Sequence, residues 1–350
     1  MSHGLHYPET FMAASLSRSV LDAAQRLLAS GRGVASARRR YLDAGGVDQL
    51  WARRMSELGA TELPRGISAE GRPLVSYRLG TAGAPRVLLS GLVHGVELIG
   101  SVALLATVEA LVDSGLHREL DLLIAPVVNP DALAHNTERL ARGHLAWRRC
   151  NARGVDLNRN FGLVGNDPHL HPFSGSKQRW APHYSGPEPF SEAESRWLAE
   201  LARAQRPELA LGFHSFGRLL LYPWGHTRAL HPRDAEYQHF AARFVAAQPR
   251  PFHAKQAFGF YPTHGDLDDW LDHELGTLAY TVEVSDLSPR LLRPRLGLNP
   301  FWWMNPVQVE EAIAEVVPGV LGMARALTEE RQGTLLPLPV HALAYAEAAE

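Results

Sequence analysis

The 350-residue sequence has a single cysteine, no long apolar run and almost no net charge. Because Cys150 has no second cysteine to pair with, an intrachain disulfide is excluded and the cytoplasm, a reducing compartment, is the expected location. The N-terminus lacks the basic start and apolar core of a secretory signal peptide. Thr107 and Glu109 interrupt residues 102–112, and no run approaches the roughly 18 to 20 apolar residues that cross a bilayer.

An excess of charge of one sign is lacking too, since 35 lysines and arginines oppose 37 aspartates and glutamates, for a formal net charge of -2. This balance gives no overall attraction to nucleic acid or to an anionic membrane, and neither is expected as a partner. Hydrophobic residues at 45% and charged residues at 21% are typical of a folded globular protein. The length suits one large domain with an appendage, and the oligomeric state is left open.

The distribution of apolar residues divides the chain into three parts. In the first sixty positions they recur at helical spacing, for example at Leu16, Val20 and Leu27, which predicts a helical N-terminal extension over residues 1–64. Residues 65–328 alternate strand-like and helix-like segments, the pattern of an α/β domain. The strand-like runs are 87–92, 122–128, 209–213 and 278–284, and the helix-like segments are 98–112, 191–203, 235–247 and 307–326. Residues 329–350 are predicted to form a C-terminal tail.

A histidine and a glutamate, His94 and Glu97, follow the first of these strands, where open α/β sheets carry their sites. An imidazole and a carboxylate are two of the three protein ligands of a typical catalytic zinc. His214, directly after the run 209–213, is the candidate for the third ligand. Taken alone, the pair also fits a helix N-terminal cap beside a solvated histidine, and His214 also fits a structural role.

Several further motifs occur in a defined order between residues 65 and 325. They are Trp147-Arg148-Arg149, Gly154-Val155-Asp156-Leu157-Asn158-Arg159-Asn160-Phe161, His214-Ser215-Phe216, Tyr222-Pro223-Trp224-Gly225, Tyr261 with Asp269-Trp270, and Thr281-Val282-Glu283-Val284. In order and spacing they resemble the carboxypeptidase A/B family of zinc peptidases. The resemblance implies an α/β/α sandwich around a mixed, twisted eight-stranded sheet, and one zinc ion per chain. It does not cover the first sixty or so residues.

The resemblance also implies a role for each matched residue. Zinc would be bound by His94, Glu97 and His214, and Glu283 would be the general base for a metal-activated water. Asn158 and Arg159 would hold the substrate's terminal carboxylate through an amide and a guanidinium fork, and the phenol of Tyr261 would close over it. The guanidinium of Arg148 would stabilise the oxyanion, with the adjacent Arg149 as the alternative.

The preferred terminal residue is predicted from Asp268, which precedes Asp269-Trp270 at the family position in the pocket for the terminal side chain. An acid there resembles the type that prefers lysine or arginine. Gly225 matches the small residue that keeps the pocket deep. Because acidic residues crowd this segment, an alternative is that one of them neutralises Lys255 or an arginine.

The expected substrate is therefore the C-terminus of a peptide or protein. A related zinc amidohydrolase that acts on N-acyl amino acids or cell-wall peptides is the alternative, since similar metal ligands serve those reactions. A third possibility is a catalytically inactive binding protein that keeps the residues for binding a terminal carboxylate. The third is disfavoured because neither a metal ligand nor the base is missing from the sequence.

Overall fold

The computed structural model describes residues 41–165, 173–250, 252–286, 298–306 and 308–333. Ten strands occur in these ranges: β1 (Thr61–Glu62), β2 (Gly66–Ile67), β3 (Pro73–Leu74), β4 (Tyr77–Gly80), β5 (Arg86–Gly91), β6 (Asp121–Ala125), β7 (Leu209–His214), β8 (Leu219–Tyr222), β9 (His253–Gln256) and β10 (Leu278–Glu283). Eight of them form one mixed sheet in the order β1-β4-β6-β5-β7-β10-β8-β9, and β2 pairs with β3.

Helices cover both sides of this sheet. Within the described ranges the α-helices are α1 (Ala44–Glu57), α2 (Leu98–Asp113), α3 (Pro130–Ala141), α4 (Ala193–Gln205), α5 (Asp234–Ala246), α6 (Leu267–Leu275), α7 (Phe301–Met304) and α8 (Val309–Gln332). Short 3-10 turns occupy Leu116–Arg118, Leu157–Arg159 and Ala257–Gly259. None of these helices is both long and apolar enough to cross a membrane.

The side chains of strand β5 are buried on both faces of the sheet, which therefore lies between two layers of helices. Successive side chains of a strand point to opposite faces, and accordingly Val87 and Leu89 belong to one hydrophobic core and Leu88 to the other. Helix α2, whose residues 98–111 are all buried, packs against β5, β7 and α8 on one side. The predicted α/β/α sandwich around an eight-stranded sheet is confirmed.

The strand-like and helix-like runs of the sequence correspond to β5, β6, β7 and β10 and to α2, α4, α5 and α8, with ends shifted by a few residues. Helices α3 and α6 were not predicted, although both carry local start signals. The Asn129 side chain caps the first turn of α3 and Pro130 follows it, while Asp266 caps the nine-residue α6.

Helix α1 and strand β1 belong to the segment predicted as an N-terminal extension. The buried α1 residues Val47, Leu50, Trp51 and Met55 join the same core as α2, and β1 is a strand of the main sheet. Residues 1–40 of the predicted extension and 334–350 of the predicted tail lie outside the described residues. Helix α8 runs to Gln332, past the predicted domain end at residue 328.

Four central strands, β6, β5, β7 and β10, run parallel to one another. Their carboxyl ends therefore meet at one edge of the sheet, where ligands bind in open α/β folds. His94 lies just beyond β5, and His214 and Glu283 are the last residues of β7 and β10. Glu283 is paired in register with His214, so three predicted site residues converge here.

Candidate metal centre and active site

The three predicted metal ligands lie together at this edge. His94 follows β5, Glu97 is the N-cap residue of α2 and His214 ends β7, and one ligand atom from each lies within 4.8 Å of the others. The Nδ1 atom of His94 is 3.0 Å from Glu97 Oε1, and the Nδ1 atom of His214 is 2.9 Å from Glu97 Oε2. All three side chains are buried. Two imidazoles and one carboxylate are a typical ligand set of catalytic zinc.

The contacts of the two imidazoles identify the atoms that face the centre. His94 Nε2 lies 3.2 Å from Asp156 Oδ1 and donates to that carboxylate, which leaves Nδ1 as the basic nitrogen. His94 Nδ1 and His214 Nδ1 are only 3.1 Å apart. Although burial raises the pKa of Glu97, the two histidines lower it below its usual value. A carboxylate held ionised between two facing ring nitrogens fits a bound cation, and the donor set fits zinc.

Asp156 accepts hydrogen bonds from four groups around the candidate metal centre. Its Oδ1 accepts from His94 and from the backbone N–H of Asn158 (3.1 Å), and its Oδ2 accepts from Arg149 Nε (3.0 Å) and His183 Nδ1 (3.0 Å). Burial raises the pKa of Asp156, but Arg149 and His94 outweigh it and hold the pKa well below the usual range. A carboxylate behind a ligating histidine fixes its ring and tautomer.

No role was predicted for Asp156 or His183 from the sequence. Asp156 lies inside the Gly-Val-Asp-Leu-Asn-Arg motif, so a signal for it was present. His183 is 27 positions away in a loop, and nothing near it in the sequence indicates the contact.

Arg149, and not Arg148, is the arginine beside the metal ligands. Its Nη1 is 3.4 Å from Glu97 Oε1 and its Nε donates to Asp156. The hydrogen bonds of Arg148 use its backbone: its N–H donates to Asn136 Oδ1 and its carbonyl accepts from Asn136 Nδ2, both at 2.8 Å. The structure thus brings Arg149, which sequence analysis kept as the alternative to Arg148, to the metal ligands, and the oxyanion role stays a prediction.

Glu283 faces the same space from the end of β10. Its Oε2 is buried and has no hydrogen-bond partner in the described part of the chain. Burial and the charges of Glu97 and Asp268 raise the pKa of Glu283 to about 8, against the opposite effects of His214 and Arg149. A cation at the metal centre opposes this shift, because a nearby positive charge favours the ionised carboxyl.

Asn158, Arg159 and Tyr261 lie close to one another and line the same cavity as the metal ligands. Arg159 is 2% exposed; its Nε donates to the carbonyl of Phe173 (2.9 Å), its Nη1 donates to the carbonyl of Asn158, and its Cζ is 5.8 Å from the centroid of the Tyr261 ring. Its Nη2 is buried with no partner among the described residues. The amide oxygen of Asn158 accepts from the Leu267 N–H (3.0 Å), which leaves its NH2 group to donate.

Asp268 is buried nearby, and its Oδ2 accepts a 2.5 Å hydrogen bond from Thr281 Oγ1. Burial and the charge of Asp266 raise the pKa of Asp268 to about 7. Within the described ranges no lysine or arginine forms a salt bridge with Asp268. Lys255 instead lies 5.4 Å from the centroid of the Phe260 ring, so the alternative of internal neutralisation by Lys255 finds no support.

Gly225 packs against Thr263 beside the cavity, and its predicted role of keeping the pocket deep stays a prediction. A Cβ built on it would lie 2.1 Å from Thr263 Oγ1, so that space is already filled. Gly225 is also absent from the residues that line the cavity. Its lack of a side chain makes room for Thr263.

A single cavity of about 710 Å³ joins these groups. Its lining includes all the predicted site residues except Gly225, together with Arg149 and His183: His94, Glu97, His214, Glu283, Arg148, Asn158, Arg159, Tyr261 and Asp268. The cavity therefore connects a candidate metal centre, the buried carboxyl group of Glu283, a guanidinium with an unpaired donor and the buried acid Asp268.

Comparison with known proteins agrees with this geometry. Residues 59–303 match the model of the zinc carboxypeptidase family, and the chain belongs to that family. The enzyme class is that of metallocarboxypeptidase hydrolases, which use one zinc ion, and the cluster of His94, Glu97 and His214 is compatible with it.

Two curated relatives are named carboxypeptidase B. That of Astacus astacus is 29% identical over 246 residues, which are 63% of this chain and 78% of the relative. That of Helicoverpa zea is 28% identical over 301 residues, which are 76% of this chain and 65% of the relative. The crystal structure of carboxypeptidase A from Helicoverpa armigera has the same fold, with a TM-score of 0.69 and 24% identity, and the match covers 90% of this chain and 81% of that one.

Proposed function

We propose that the enzyme hydrolyses the C-terminal peptide bond of peptides and proteins and prefers a terminal lysine or arginine. The observation that carries the proposal is Arg159, whose Nη2 is buried without a partner in the described chain and which lines the same cavity as the metal cluster. A buried unpaired donor costs free energy, so a ligand that completes it is favoured. A terminal carboxylate fits, because its planar oxygens match the guanidinium fork.

Glu283 is the proposed general base. A zinc ion bound at His94, Glu97 and His214 would supply a water nucleophile with a pKa lowered to about 7. Glu283 takes the proton of the nucleophile on its unpartnered Oε2 and returns it to the leaving amine as the C–N bond breaks. Positioned acid-base catalysis of this kind contributes roughly 10²- to 10⁴-fold in rate.

Arg149 is the proposed stabiliser of the negative charge that develops on the scissile carbonyl oxygen. Its side chain is 18% exposed, so the guanidinium acts in a site from which most water is excluded. The hydrogen bond from Nε to Asp156 fixes its orientation before substrate arrives, and Nη1 remains on the side of Glu97. Preorganised donors stabilise the transition state without reorganising during the reaction.

The preference for a basic terminal residue is supported by Asp268. This carboxyl lines the cavity that Arg159 also lines, and no lysine or arginine of the described residues forms a salt bridge with it. A terminal lysine or arginine would supply the missing positive charge.

The test is release of the terminal residue from blocked dipeptides ending in Arg, Lys, Phe, Leu and Glu. The protein is assayed zinc-loaded, after chelation, and after zinc is restored. We expect chelator-sensitive release that recovers with zinc and is fastest for Arg and Lys.

A Glu283→Gln variant, loaded with zinc in the same way, is the matched control for contaminating peptidases. No release from any dipeptide by folded, zinc-loaded protein would contradict carboxypeptidase activity, and N-acyl amino acids and wall peptides would then be assayed. Equal release of Arg and Phe would contradict only the basic preference.

A further inference from the structure

Two side chains occupy the space beside Gly225. A Cβ at this position would lie 2.1 Å from Thr263 Oγ1 and 3.2 Å from Asp266 Oδ2. Thr263 and Asp266 both line the cavity, together with Asp268 and Thr281. The missing side chain at Gly225 therefore allows a hydroxyl and a second carboxyl group to form part of the cavity wall.

Asp266 is held in one orientation by its own contacts. Its Oδ1 accepts from the Asp269 N–H (2.9 Å) as the N-terminal cap of α6, and its Oδ2 accepts from Thr263 Oγ1 (2.7 Å). The residue is 7% exposed. Each carboxylate oxygen has a second acceptor position, so the group is able to bind a cation without losing these bonds.

The negative charge of Asp266 acts on Asp268, and both carboxyl groups line the same cavity. After burial, the charge of Asp266 is the largest cause that raises the pKa of Asp268. Neither carboxyl group forms a salt bridge with a lysine or arginine within the described ranges. Two buried acids without a cationic partner repel each other, and a bound positive charge removes that repulsion.

An independent feature of the same cavity indicates what binds there. The buried Nη2 of Arg159 has no partner in the described chain and fits the terminal carboxylate of a substrate. The side chain of that same terminal residue must then occupy the cavity, where Asp266 and Asp268 lie.

We infer that Asp266 joins Asp268 as a second carboxylate for the terminal side chain, and that the pair selects arginine over lysine. The inference rests on the proposed preference for basic terminal residues. A guanidinium presents five donors on a planar fork and is able to bridge two carboxylates, whereas an ammonium is a compact, strongly hydrated charge. Arginine therefore gains more from the second carboxylate than lysine does.

The test compares kcat/KM for blocked dipeptides ending in Arg, Lys and Phe in zinc-loaded wild type, Asp266→Asn and Asp268→Asn. Asparagine caps helices as well as aspartate, so Asp266→Asn removes charge while keeping the cap. We expect Asp266→Asn to lower the Arg/Lys ratio about tenfold, the effect of one charge-assisted hydrogen bond. Asp268→Asn should lower both Arg and Lys relative to Phe.

Asp43→Asn is the matched control, because Asp43 caps α1 through a 2.8 Å bond to the Gly46 N–H and does not line the cavity. It should leave all ratios unchanged. If thermal unfolding shows that Asp266→Asn is misfolded, Thr263→Val is tested in its place. This variant removes the hydroxyl that orients Asp266, so it should also lower the Arg/Lys ratio.

The outcomes separate this inference from the proposed function. An unchanged Arg/Lys ratio in the folded Asp266 or Thr263 variant, with basic preference lost in Asp268→Asn, overturns the role of Asp266 alone. A wild-type enzyme that releases Phe as fast as Arg and Lys overturns the basic preference and this inference together.

Discussion

Replacement of Arg149 by methionine removes the guanidinium that lies 3.4 Å from Glu97 Oε1 and donates to Asp156. If this group stabilises the developing oxyanion, its effect is confined to the transition state. Loss of one such donor lowers kcat by about 10²- to 10³-fold, which corresponds to roughly 2.7 to 4 kcal/mol. Because ground-state binding is unaffected, kcat and kcat/KM should fall by the same factor.

Arg148→Met is the matched variant, since it deletes an adjacent guanidinium that also lines the cavity. The bonds of Arg148 to Asn136 use backbone atoms and survive the change. We therefore expect kcat to fall much less than in Arg149→Met, because within the described residues no hydrogen bond joins the Arg148 guanidinium to a metal ligand.

Both variants are assayed by steady-state hydrolysis of a blocked dipeptide ending in Arg, after zinc content and circular dichroism have shown that they are loaded and folded. A larger loss of kcat in Arg148→Met than in Arg149→Met would refute the assignment. A rise in KM at constant kcat in Arg149→Met would instead show that this arginine binds substrate in the ground state.

Three further outcomes follow from the site. Glu283→Gln should lower kcat by roughly 10²- to 10⁴-fold while zinc affinity, measured by chelator competition, is retained; undiminished kcat would exclude Glu283 as the base. Asp156→Asn should weaken zinc binding about 10- to 100-fold in the same competition, and unchanged affinity would contradict its role behind His94. Because the pKa of Asp268 is raised to about 7, this carboxyl group is neutral at lower pH and ionised at higher pH. The ratio of kcat/KM for Arg to that for Phe should therefore rise as the pH increases through 7. A ratio that does not change with pH would contradict the selection of basic residues by an ionised Asp268.

Local signals in the sequence predicted the central strands and the helices α2, α4, α5 and α8, but not α3 and α6. The metal ligands were assigned from the strand ends that they follow and from the resemblance of the surrounding motifs. The alternation of Val87, Leu88 and Leu89 follows from the backbone geometry of a strand, and the turn after it brings His94 and Glu97 close together. The parallel order of β5, β7 and β10 puts their ends side by side, which places His214 next to Glu283.

The choice between Arg148 and Arg149 depended on tertiary structure. Both lie in a loop, where no periodicity assigns a side-chain direction. Asn136 of α3 binds both the N–H and the carbonyl of Arg148, and the Gly95 N–H donates to the carbonyl of Arg149 (3.2 Å). These bonds to distant segments set the path of the loop and direct Arg149 toward Glu97.

Tertiary structure also decided which residues surround the site. His183 contacts Asp156 from 27 positions away in the sequence, and Thr263 occupies the space beside Gly225. The order and spacing of the motifs were enough to predict the metallocarboxypeptidase class, which the family match confirms. The shape and charge of the pocket depend on contacts between loops, and such contacts leave no periodic pattern in the sequence.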